Sequence, residues 1–100
     1  MVKLTVLYGH PKDPAAFERY YAEVHMPLAA KVPGIRRMEL SRVVGTPDGS
    51  PPAYYRIGDL YFDDLAQYQA VLMSPEGQAA LADLANFATG GITAVVSEIG

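Results

Sequence analysis

A chain of 100 residues with a net formal charge of -3, half of it hydrophobic and none of it cysteine, suits one globular domain spanning residues 1–100, with no room for a second. The missing cysteine excludes a disulfide framework and thiolate chemistry. With no Lys/Arg cluster beyond Arg36-Arg37, a nucleic-acid footprint is not expected either. The apolar run in MVKLTVLYGH is short and broken by Lys3 and Thr5. It is read as neither a signal peptide nor a membrane span, and the expected location is the cytoplasm.

Val2 to Tyr8 alternate as a strand with one strongly apolar face. Gly9-His10-Pro11 turns the chain into a helix. Asp13 is a good N-cap for it, and Pro14 fits its first position. Lys31 and Pro33-Gly34 close it. Phe17, Tyr21, Val24, His25 and Leu28 share one face at helical spacing, while Arg19 and Glu23 make a pair four apart on a polar side. Pro27 stands in the helix interior, where the lost hydrogen bond and ring clash cost about 3 kcal/mol. A kink or local break is therefore expected near it.

Ile35 to Val44 reads as a second strand despite Arg36, Arg37, Glu39 and Arg42. The turn cluster Gly45 to Pro52 makes a long hairpin loop, and Tyr54 to Phe62 a third, aromatic-rich strand. Asp63 or Asp64 caps a helix carrying Leu65, Tyr68 and Leu72. Ser74-Pro75-Glu76 caps a second helical piece with Leu81, Leu84 and Phe87 as its buried stripe. Ala88 to Gly91 ends it, and Ile92 to Ile99 is the last strand. The order β-α-β-β-α-β suggests an α+β layer of antiparallel sheet with helices on one face. The second face of the sheet is not mostly charged. On the third strand it carries either Tyr55, Ile57, Asp59 and Tyr61 or Tyr54, Arg56, Leu60 and Phe62; on the last, either Thr93, Val95 and Ile99 or Ile92, Ala94 and Val96. An open wet face alternates more cleanly, so this face is expected to be covered by a second subunit in a homodimer.

His10-Pro11, Asp13-Pro14, Phe17, Tyr20-Tyr21, His25-Met26-Pro27-Leu28, Lys31 and Pro33-Gly34, followed by Ser74-Pro75-Glu76-Gly77 and Gly90-Gly91, resemble the EthD family over nearly the whole chain. The run from Tyr20 to Leu28 is the most specific part. The resemblance implies a ferredoxin-like βαββαβ fold with a four-stranded antiparallel sheet that pairs into a dimeric α/β barrel. It implies no settled reaction. The family is named for a small protein of ether degradation that acts beside a cytochrome P450, and its relatives include fungal polyketide-tailoring dehydratases and decarboxylases.

His25 is the foremost chemical candidate, because an imidazole exchanges a proton near neutral pH. With Tyr21 one turn earlier, it suits dehydration, decarboxylation, enolisation or ring closure of a carbonyl compound. Alternatively, His25 closes the bond that Pro27 leaves open, at the carbonyl of Glu23 or a neighbour. The His25-x-Pro27 position matches the family pattern. His10 is either a ligand contact or a turn residue of its loop. Asp59 and Tyr61 share a strand face. Asp59 either faces a ligand in the barrel lumen or pairs with an arginine of the second strand. Tyr20, Tyr54, Tyr55 and Tyr68 suit a pocket for a small hydrophobic ligand, and equally a core or dimer interface. Neither a metal nor a cofactor is expected, since no carboxylate stands at helical ligand spacing from His25. The expected function is cofactor-free acid–base catalysis on a small hydrophobic carbonyl or aromatic compound. The alternative is a non-catalytic binding or accessory protein of an oxygenase-type degradation system.

Overall fold

The computed structural model describes residues 1–100. Strand β1 (Val2–Tyr8) leads to helix α1 (Pro14–Tyr20), a π turn (Tyr21–His25) and helix α2 (Met26–Ala30). Strands β2 (Arg37–Arg42) and β3 (Arg56–Phe62) follow, then helices α3 (Leu65–Met73) and α4 (Pro75–Asp83), a 3₁₀ turn (Leu84–Asn86) and strand β4 (Ile92–Glu98). The four strands form one sheet in the order β2-β3-β1-β4, with every pairing antiparallel. This is the ferredoxin-like α+β fold, and its smallest dimension of 17 Å fits one sheet under a single helix layer. No helix is long and apolar enough to cross a membrane.

The register settles which face each residue takes. Val2, Leu4, Val6 and Tyr8 of β1 stand opposite Phe62, Leu60, Gly58 and Arg56 of β3, and these rows face the helices. Val2, Leu4, Val6, Tyr8 and Phe62 join Phe17, Tyr21, Val71, Leu84 and Phe87 in the core. Lys3, Thr5 and Leu7 stand opposite Tyr61, Asp59 and Ile57 on the face that no helix covers. Strands β2 and β3 are shorter than the alternation suggests. Ladder pairing stops at Arg42 and Arg56, and only single bonds such as Val43 N–H to the Tyr55 carbonyl continue beyond it.

The helical segment departs from expectation in a consistent way. Asp13 caps α1 by accepting from the Ala16 N–H, with Pro14 beside it, as its sequence implies. The chain does not break at Pro27. It widens one turn earlier, where the Met26 N–H reaches the Tyr21 carbonyl five residues back. Pro27 then lies in the first turn of α2, where a missing N–H costs least. The widening also resets the buried face. Residues four apart drift by about 40° in an α-helix of 3.6 residues per turn, yet Phe17, Tyr21, His25 and Ala29 are all buried. A π turn cancels that drift. It also explains why Val24 is exposed and Leu28 only half-buried, although both belonged to the expected apolar face. Arg19 and Glu23 form no ion pair; Arg56 instead pairs with Glu18 through two hydrogen bonds.

Of the two candidate caps for α3, Asp64 accepts from the Gln67 N–H, while Asp63 binds Arg36 across the surface. Ser74 caps α4 by accepting from the Gly77 N–H and donates its own hydroxyl to the Val71 carbonyl. Gly77 belongs at this corner because a Cβ there would stand 2.1 Å from the Val71 carbonyl oxygen. Leu84 and Phe87 are buried as expected, whereas Leu81 is 38% exposed. The stripe is displaced because α4 tightens into the 3₁₀ turn after Asp83.

Candidate functional site

The widened turn delivers His25 to the interior, where it is 7% exposed. Its ring lies nearly parallel to that of Tyr21, with centroids 5.9 Å apart, and 4.7 Å from that of Phe87. Its hydrogen-bond partner is not the carbonyl of Glu23. His25 Nδ1 lies 3.0 Å from Oδ2 of Asp83, at the end of α4. Asp83 is itself buried and accepts at Oδ1 from the Tyr20 hydroxyl at 2.6 Å and the Asn86 amide at 3.0 Å. Burial opposes its ionisation, but the hydrogen bonds from Tyr20, Asn86 and His25 outweigh that and hold the carboxyl below its usual range. An ionised carboxylate only accepts, so the bond at Nδ1 carries the imidazole proton there. In the neutral ring, Nε2 is then a free base.

A cavity of about 70 Å³ lies between the sheet and the helices, with 17 of its 20 lining residues hydrophobic. His25, Tyr21 and Tyr8 are the polar-tipped side chains that line it, beside Leu60 and Gly58 of β3. None of the three tips, His25 Nε2, Tyr21 Oη and Tyr8 Oη, has a hydrogen-bond partner in the chain. Every fully enclosed side-chain nitrogen or oxygen does have one, so the three tips are not fully enclosed, and all three residues line the cavity. Tyr8 and Tyr21 meet edge to face with centroids 5.7 Å apart. Burial raises the ionisation of both hydroxyls above the ordinary tyrosine value, which keeps them protonated. Arg56 lies over the Tyr21 ring at 4.8 Å but is held by Glu18.

The structure thus brings His25 and Tyr21 together, as a stacked pair rather than a hydrogen-bonded one. It places His10, Asp59 and Tyr61 elsewhere. His10 Nε2 donates to the Pro52 carbonyl at 2.7 Å and latches the β2–β3 loop. Asp59 and Tyr61 lie on the uncovered side of the sheet. Asp59 accepts from the Thr5 hydroxyl at 2.6 Å and faces Lys3 at 3.9 Å, so its partners come from β1 and not from an arginine of β2. The Tyr61 hydroxyl donates to Glu39, and the Arg37 guanidinium covers its ring at 4.4 Å. Two groups of the candidate site escaped sequence reasoning. Tyr8 looked like one more apolar residue of β1. Asp83 carried a readable signal, a lone carboxylate three and four residues from Ala80 and Phe87 on an apolar stripe. No three His, Asp or Glu side chains gather closely enough to hold a metal ion.

Comparison with known proteins agrees with this architecture. The EthD domain model matches residues 10–91. An uncharacterized 11.0 kDa protein from the thcB-thcC intergenic region of Rhodococcus erythropolis is 41% identical over 98 residues, covering 98% of this chain and 94% of that protein. The crystal structure of an EthD family protein from Bacillus halodurans superposes with a TM-score of 0.93 at 37% identity, covering 100% of this chain and 99% of that one. An EthD-like protein from Ralstonia eutropha superposes with a TM-score of 0.73 at 23% identity, covering 97% and 89%, a likeness of fold.

Proposed function

Because the chain belongs to the EthD family, whose fold leaves its chemistry to be read from the site, we propose that it is an acid–base enzyme acting on a small hydrophobic carbonyl compound, with His25 as the proton acceptor. The observation that carries this reading is the buried His25–Asp83 pair, which leaves Nε2 without a partner on a ring that lines an apolar cavity. Asp83 fixes the tautomer and stabilises the imidazolium that forms, Nε2 takes a proton from the bound compound, and Tyr21 faces the same space. Proton abstraction of this kind serves dehydration, enolisation and ring closure alike.

The test is hydrogen–deuterium exchange at the α-carbon of simple ketones in D2O, followed by NMR. The wild-type chain should accelerate exchange over buffer. His25→Gln should return it to the buffer rate, a loss of about 10²–10⁴-fold for a general base, with the amide spectrum otherwise preserved. Exchange that survives His25→Gln sinks the reading. Saturable binding without exchange would favour the accessory-protein alternative.

We also infer a homodimer formed through the uncovered sheet face. Strand β4 is exposed along its whole length, with Val95 51% exposed on that face.

A further inference from the structure

We propose that the cavity is a site for a small uncharged carbonyl group, whose oxygen is held between the hydroxyls of Tyr8 and Tyr21. The proposal rests on the reading of His25 as the base and adds what that base acts on. Three features select the ligand. The first is the pair of donors. Tyr8 and Tyr21 are 3% and 4% exposed, yet neither hydroxyl has a partner in the chain, and both residues line the cavity that His25 also lines. Two unpartnered donors beside one acceptor match a carbonyl with an acidic hydrogen on the next carbon.

The second feature is charge. No Lys or Arg lines the cavity. The nearest cation, Arg56, is committed to Glu18 by bonds of 2.6 and 3.1 Å, and the ionised Asp83 stands directly behind His25. A carboxylate entering this space would lose its water and find no Lys or Arg in the lining to pair with. The third feature is size. A cavity of about 150 Å³ holds a benzene, so the 70 Å³ here suits a reacting end of roughly three or four non-hydrogen atoms by the same scale.

In the step this allows, the α-carbon–hydrogen bond breaks and its proton goes to His25 Nε2. The electron pair moves into a new carbon–carbon double bond, and the carbonyl oxygen becomes an enolate oxygen that accepts hydrogen bonds from both tyrosines. Their burial keeps these hydroxyls protonated, and so able to donate.

The test uses propanone labelled with 13C at the carbonyl, and acetate as its charged counterpart. The 13C shift of propanone should move saturably on adding the wild-type protein. Tyr8→Phe and Tyr21→Phe should each abolish most of that movement and slow α-exchange by about 10²-fold, the usual loss of one oxyanion donor. Acetate should not compete. Amide spectra establish that each variant is folded, and either variant alone suffices if the other is not. Propanone shifts that are absent, that are unchanged in both Phe variants, or that acetate displaces equally would overturn the proposal, even if α-exchange persisted and the His25 reading stood. A tyrosine-dependent shift without any exchange would instead support the carbonyl site and overturn His25 as the base.

Discussion

Asp83 determines which nitrogen of His25 faces the cavity, and it does so from 58 residues away in sequence. Its carboxyl ionises below the ordinary carboxylate value because three donors converge on it despite burial. A depressed folded-state value adds stability that is fully present above the unfolded aspartate pKa of about 4. That stability is lost as pH falls through the lower folded value. Glu18, held down by Arg56, and Asp63, held down by Arg36, contribute with the same sign, as does Asp48, which the Ser50 and Thr46 groups hold at about 2. Melting temperatures measured from pH 7 to pH 2 should therefore fall in the acid range. Asp83→Asn should melt lower at pH 7, since misfitted buried partners cost about 1–3 kcal/mol, and should show a shallower fall below pH 4. An equally steep fall in the variant would mean that Asp83 is not one of its sources. In the sequence, His25 stood out because a titratable ring on an apolar helical face is unusual. Its pairing with Asp83 was not legible, because nothing local ties position 25 to position 83.

At the scale of elements, the legible features were those with local causes. Asp13-Pro14, the Asp63-Asp64 pair and Ser74-Pro75 each mark a helix start, because capping is settled within four residues. Pro27 announced an irregularity, but its form was set by packing. Keeping Phe17, Tyr21, His25 and Ala29 all buried requires a wider turn, whereas proline alone requires only a lost donor. The α3–α4 corner is similar. Ser74 signals the cap, while the need for glycine at 77 comes from the Val71 carbonyl pressed against it. Gly77→Ala should cost about 1–3 kcal/mol of overpacking. At about 4–8 °C per kcal/mol for a domain of this size, thermal melts would resolve it. An unchanged melting temperature would show that the corner opens freely.

For the whole molecule, the uncovered sheet face is the feature that a lone chain explains least. Leu7, Ile57 and Val95 share it with the partnered charges of Lys3, Asp59, Arg37 and Glu39. β4 buries neither of its sides. Light scattering at micromolar concentration should give twice the mass of one chain, and a clean monomer would remove the inferred interface. The sequence already pointed here, through a second face too apolar for open water. It could not say which residues of β3 and β4 lie there, because period-two alternation is unchanged by exchanging the two faces.

The strand order has one more consequence. β1 precedes the other three strands in the chain, yet it lies inside the sheet with β3 on one side and β4 on the other. Val2 finds its neighbours only at Phe62 and Glu98. The chain must be made through β4 before its most apolar strand is paired on both edges, and such distant contacts form slowly. Until then this strand is a hydrophobic segment with a bare edge, which is when such a protein is most prone to aggregate.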